Sequence, residues 1–163
     1  MDFLLLSNVS NELAVEEMLE SFQDQFWLDE HHWFVGCDRD LSFGRTLFYT
    51  IPYSFKDFTF SNTTISKWTR SQTNNRWFYN GMRSLTYVFL NDEYPSHQIL
   101  FLNIQHLFIV LPIDEHFWSS VLKFDELISL TIIFTFPNED CGIQLQSLLD
   151  RAYHLSKLHI DWS

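Results

Sequence analysis

Basic side chains are scarce in this sequence: 10 Lys and Arg stand against 21 Asp and Glu, for a formal net charge of −11. A chain of that charge is repelled by phosphate backbones and by anionic bilayer surfaces, which argues against nucleic acid and membrane as partners. A basic protein surface would instead be favoured on encounter. Glycine is scarcer still. Gly36, Gly44, Gly81 and Gly142 stand far apart, so the sequence holds no glycine-rich phosphate loop. Two cysteines occur, Cys37 and Cys141, without a CxxC pair. That spacing excludes a zinc or dithiol redox motif, and two free thiols in a reducing, cytoplasmic or nuclear compartment are expected. No apolar run approaches the roughly 18 residues of a membrane helix. The opening MDFLLLSNVS has a short apolar run and an acid at Asp2, so it is not expected to act as a secretion signal.

Large apolar side chains, by contrast, are plentiful. Among 163 residues 46% are hydrophobic and 17 are Phe, enough for the core of one domain. Their order is periodic. An apolar residue, two variable positions, an apolar residue, one variable position and a third apolar residue recur as Phe55/Phe58/Phe60, Met82/Leu85/Tyr87, Ile104/Leu107/Ile109, Leu127/Leu130/Ile132 and Leu155/Leu158/Ile160. The middle residues are 27, 22, 23 and 28 positions apart, within the range of about 20–29 residues of leucine-rich repeats. The expected fold is therefore α/β: a leucine-rich-repeat-like solenoid with a curved parallel sheet and an N-terminal capping helix. Residues 1–53 would form the helix and an irregular capping segment, and residues 54–163 about five repeat turns.

Strands are predicted near 57–60, 84–89, 106–111, 129–134 and 157–161, and helices near 11–28, 114–122 and 143–151. In the first helix Leu13, Val15, Met18, Leu19, Phe22 and Phe26 share a face, with Asn11 or Ser10 as cap. It should cover the exposed end of the solenoid core. Residues 36–40 read as a turn, with Asp38 and Asp40 solvated around Arg39. Residues 61–81, rich in Asn, Ser and Thr, read as a loop carrying a short element at Trp77 and Phe78. Leu107, Ile109, Leu130, Ile132, Leu158 and Ile160 should be buried in adjacent layers.

Side chains alternate along a strand, so the positions between the apolar trios face outward. They place Val88, His106, Phe108, Val110, Thr131, Ile133 and His159 on one surface, the candidate protein-binding residues. Phe108, Val110, Ile133 and Val88 are apolar where water is expected. Two readings of them stay open: a binding site rimmed by polar groups, or a face covered by a neighbouring loop or by further C-terminal sequence.

The runs FSNTTISKW, LNIQHLFIVLPIDEHFWSSVLKFDELISLTI and QLQSLLDRAYHLSKLHIDWS resemble the leucine-rich-repeat part of F-box-type proteins, closest to the families expanded in bdelloid rotifers. LPIDEHFWSSV and LQSLLDRAYHL carry most of the likeness, which extends from about residue 20 onward. The resemblance implies a substrate-holding role in ubiquitin transfer, with a Skp1-type adaptor docked on an F-box. No F-box of family length is read before the repeats here, so the substrate-binding role carries over and adaptor docking stays open.

Chemistry leaves few traces. His31-His32 beside Asp29 and Glu30 lacks metal-ligand spacing and reads as a polar turn. Asp114-Glu115-His116 reads as a helix start, where acids satisfy orphan N–H groups. No nucleophile motif is present. The expected function is thus a protein-binding module without cofactor, metal or enzymatic activity. The alternative is an inert scaffold or shortened paralogue.

Overall fold

A computed structural model of the chain describes residues 4–7, 11–31, 33–41, 44–51, 55–61, 63–69, 79, 81–89, 100–121, 123–135 and 139–162. In chain order the elements are β1 (Leu4–Ser7), α1 (Glu12–Ser21), a π-helical turn (Phe26–Glu30), β2 (Phe34–Asp40), β3 (Arg45–Ile51), β4 (Asp57–Ser61), β5 (Thr64–Trp68), β6 (Ser84–Val88), β7 (His106–Leu111), α2 (Glu115–Ser120), β8 (Ser129–Phe134), α3 (Glu139–Arg151) and β9 (Lys157–Trp162).

The strict alternation of Leu107, Ile109 and Leu111, or of Leu130, Ile132 and Phe134, gives each strand one buried side. β4, β6, β7, β8 and β9 join in that order into a five-stranded sheet, every pair parallel. Their starts are aligned by a repeated bond pattern. The carbonyls of Lys56, Arg83, Gln105 and Ile128 each accept two N–H groups from the beginning of the next strand. α2 and α3, which connect β7 to β8 and β8 to β9, bring Phe117 and Leu148 into the core formed by the sheet's buried side. Asp114 caps α2: its Oδ1 accepts from the Phe117 N–H at 3.0 Å and from the Tyr87 hydroxyl at 2.6 Å. The cap of one helix is thereby tied to β6.

The N-terminal part builds a second sheet, antiparallel, in the order β1-β3-β2-β5. One of its sides carries Val35, Cys37 and Phe48, which pack with Val15 and Leu19 of α1. Lys67 of β5 fastens that helix with Nζ 2.8 Å from Glu16 and 3.1 Å from Glu12. Its other side sends Tyr49 and Ile51 into the main core beside Phe58 and Phe60. β4 belongs to one sheet and β5 to the other, and the corner between them is polar. Asp40 accepts from Ser61 Oγ at 2.8 Å and from Thr63 Oγ1 at 3.3 Å, and Ser61 Oγ lies 3.1 Å from Thr64 Oγ1.

These elements correct the expected fold. The described residues form no leucine-rich-repeat-like solenoid with a capping helix; they form a mixed α/β fold of one antiparallel and one parallel sheet. A solenoid needs one unit repeated along its axis. Here the path from β4 to β6 leaves the parallel sheet to place β5 in the antiparallel one. Crossover helices are found only at the last two connections among the described residues. α1 covers the antiparallel sheet and not the end of the parallel one. It ends at Ser21, before the predicted 28, and Leu13 and Phe26 are exposed. Residues 36–40 are strand and not turn, and 64–68, read as loop, are the edge strand β5. Trp77 and Phe78 lie outside the described residues.

The parallel strands themselves occupy the predicted positions, and Leu107, Ile109, Leu130 and Ile132 are buried. Leu158 and Ile160 are not: they are 46% and 37% exposed. Among the described residues β9 has a strand on one side only; its Trp162 ring stacks on Phe134 at 4.4 Å, while Leu158 and Ile160 stay partly wet.

Candidate binding face

The parallel register sets the outward side chains in three rows across the sheet. The first runs Asp57, Ser84, His106, Ser129, Lys157. The second runs Thr59, Thr86, Phe108, Thr131, His159. In the third, Ser61 pairs with Val88, Val110 with Ile133, and Ile133 with Asp161. Val88, His106, Phe108, Val110, Thr131, Ile133 and His159 therefore share one face. Neighbouring strands lie about 4.8 Å apart, so side chains in a row are in reach of one another.

The face is graded. Its first row is polar, with an acid at one end and a lysine at the other. Its middle row sets Phe108 between Thr86 and Thr131. Its third row is apolar through Val88, Val110 and Ile133. Phe108, Val110, Ile133 and Val88 are half-buried, while His106 and His159 are exposed. None of the four apolar residues belongs to either hydrophobic core, because α2, α3 and the antiparallel sheet all contribute to the opposite side. Ser61, at the end of β4, is buried, with its hydroxyl bonded to Asp40 and close to Thr64 Oγ1.

Sequence reasoning missed one chemically unusual group. Asp38, on β2, is buried, and neither carboxylate oxygen has a well-formed hydrogen bond. Burial pushes its carboxyl up to about 7, while the nearby Ser66 and Tyr49 hydroxyls oppose the shift. The Tyr49 ring covers Gly36, and its hydroxyl lies 2.6 Å from that of Tyr79. Burial, followed by the Asp38 charge, raises the adjacent Cys37 thiol to about 12, which leaves it inert as a nucleophile near neutral pH. Both carboxylate oxygens are shut off from the surface, so this is a buried acid and not one presented to a substrate. The cue in the sequence was a strand-length run, FVGCDRD, facing an equally long RTLFYTI; its Gly and Asp residues masked it as a turn.

Other candidates resolve into structure. Asp114 caps α2. The His31 ring stacks on Trp33 at 4.4 Å, and His32 lies outside the described residues. Among the described residues no group of three or more His, Cys, Asp or Glu could hold a metal, and no helix is long and apolar enough to cross a membrane. No family model matches the chain, and neither the curated proteins nor the solved structures give a match.

Proposed function

We propose that the chain is a protein-binding module, acting in the cytoplasm or nucleus without chemistry of its own. The open face of its parallel sheet would take a partner that presents an apolar side chain among basic groups. The observation that carries this is the contiguous strip Val88, Val110 and Ile133 beside Phe108, half-buried and outside both cores. Apolar centres ringed by polar side chains are where interfaces concentrate their binding energy. The net charge of −11 favours a basic partner on encounter.

Phe108→Ala tests it. Truncating an aromatic anchor costs about 2 kcal/mol or more of binding free energy, so the dominant partner recovered with the unaltered chain should be lost. The melting temperature should hardly change. Unchanged capture with a large loss of stability would make Phe108 a packing residue and the face inert. The likeness to F-box-type proteins supports a narrower role, holding a substrate for ubiquitin transfer. Recovery of a Skp1-type adaptor is expected of that role, and a dominant partner without one makes the chain a plain binding module.

A further inference from the structure

β9 closes one edge of the parallel sheet, and all six of its residues are exposed. On its helix side Leu158, Ile160 and Trp162 are 46%, 37% and 66% exposed, although the matching residues of β8 are buried. Sheet edges are usually blunted by proline, a bulge or an inward charge, because their free N–H and C=O groups template pairing. KLHIDW has no proline, bulge or inward charge: Lys157, the kind of charge that edges often carry, and Asp161, whose Oδ1 accepts from the Trp162 N–H at 2.8 Å, both lie on the other face.

We propose that β9 pairs antiparallel with β9 of a second copy, about a two-fold axis at His159, joining two five-stranded sheets edge to edge. The strand reads as its own complement. With His159 opposite His159, Lys157 meets Asp161 of the second copy and Asp161 meets its Lys157. On the helix side Leu158 meets Ile160, twice. Centring the pair on Leu158 sets Lys157 opposite His159 and leaves Asp161 without its lysine. Centring it on Ile160 leaves Lys157 without its acid. A parallel pairing in register sets like charges side by side, which destabilises a strand pair. Only the His159-centred arrangement satisfies both charges and both apolar residues. A two-fold interface also closes on itself, so assembly stops at two.

Sedimentation equilibrium on the 163-residue chain at micromolar concentration should report a dimer. Lys157→Asp or Asp161→Lys alone creates two like-charge pairs per dimer and should weaken it about tenfold. The two changes together restore opposite charges and should restore the dimer, which a merely local structural effect would not do. Cross-linking tests the register. His159→Cys should form an intermolecular disulfide, since opposite residues bring Cβ atoms within about 5 Å. Lys157→Cys should not, because its twin lies four strand positions away, on the order of 13 Å. Cys37 and Cys141 are buried and contribute little background. A monomer, growth beyond two copies, equal cross-linking of both variants, or failure of the charge swap to rescue would each overturn the proposal.

Discussion

Gly36 and Asp38 show how residue types that commonly mark a turn can serve the inside of a sheet. A Cβ at Gly36 would stand 2.5 Å from a ring carbon of Tyr49, so glycine is there to let the tyrosine cross the strand. Asp38 sits two residues along, pointing to the same side. An acid whose ionisation is raised by folding holds its proton in the folded state while the unfolded chain has lost it. Its contribution to stability is whole below the ordinary aspartate range and is lost as pH rises through about 7. Between pH 5.5 and 8 this amounts to about 1–2 kcal/mol. Urea titrations of the unaltered chain and of Asp38→Asn should therefore differ in slope with pH. The unaltered chain loses more stability toward pH 8, and the two showing equal pH dependence would mean that Asp38 ionises as in water.

At the scale of elements, β8 and β9 carry the same pattern and different burdens. Leu130 is fully buried between β7 and β9, whereas Leu158, its register partner, is 46% exposed at the edge. Leu130→Ala should cost about 2–5 kcal/mol, as large-to-small core changes do. In the monomer, at concentrations too low for β9 to pair, Leu158→Ala should cost under about 1 kcal/mol, in keeping with a side chain that is about half wet there. Equal losses in denaturant titration of the dilute monomer would mean that Leu158 is covered within its own chain. The parallel strands were legible because each has one dry and one wet side, and period two survives in sequence. The candidate face was legible for the same reason, since an outward residue is defined by its inward neighbours. The antiparallel sheet was not. β5 buries Thr64 and Ser66, whose polar side chains read as loop, and the corner satisfies Ser61, Thr63 and Thr64 among themselves and Asp40. Buried hydroxyls that partner one another leave no hydrophobic signature. Nor does a repeat of apolar trios distinguish a solenoid from any sheet whose strands follow in order.

Taken whole, the molecule has its two sheets fused through one core. Tyr49 and Ile51 of the antiparallel sheet lie in the same apolar cluster as Phe58, Leu85 and Leu130. Neither sheet can lose its packing without exposing the other, so both should unfold together. Tryptophan emission draws on Trp27 and Trp33 near α1 and on Trp118 and Trp162 beside the parallel sheet, whereas far-ultraviolet dichroism follows the backbone. The two signals should give one coincident transition in urea, and separate midpoints would show that the sheets are independent. The strand order has a consequence for the chain as it is made. From β4 onward, each strand of the parallel sheet pairs with the one synthesised just before it. As the polypeptide leaves the ribosome, every new strand finds its template already exposed, and none must wait for a later segment. The sheet can grow outward at the pace of translation, starting from the N-terminal sheet that roofs its first strand.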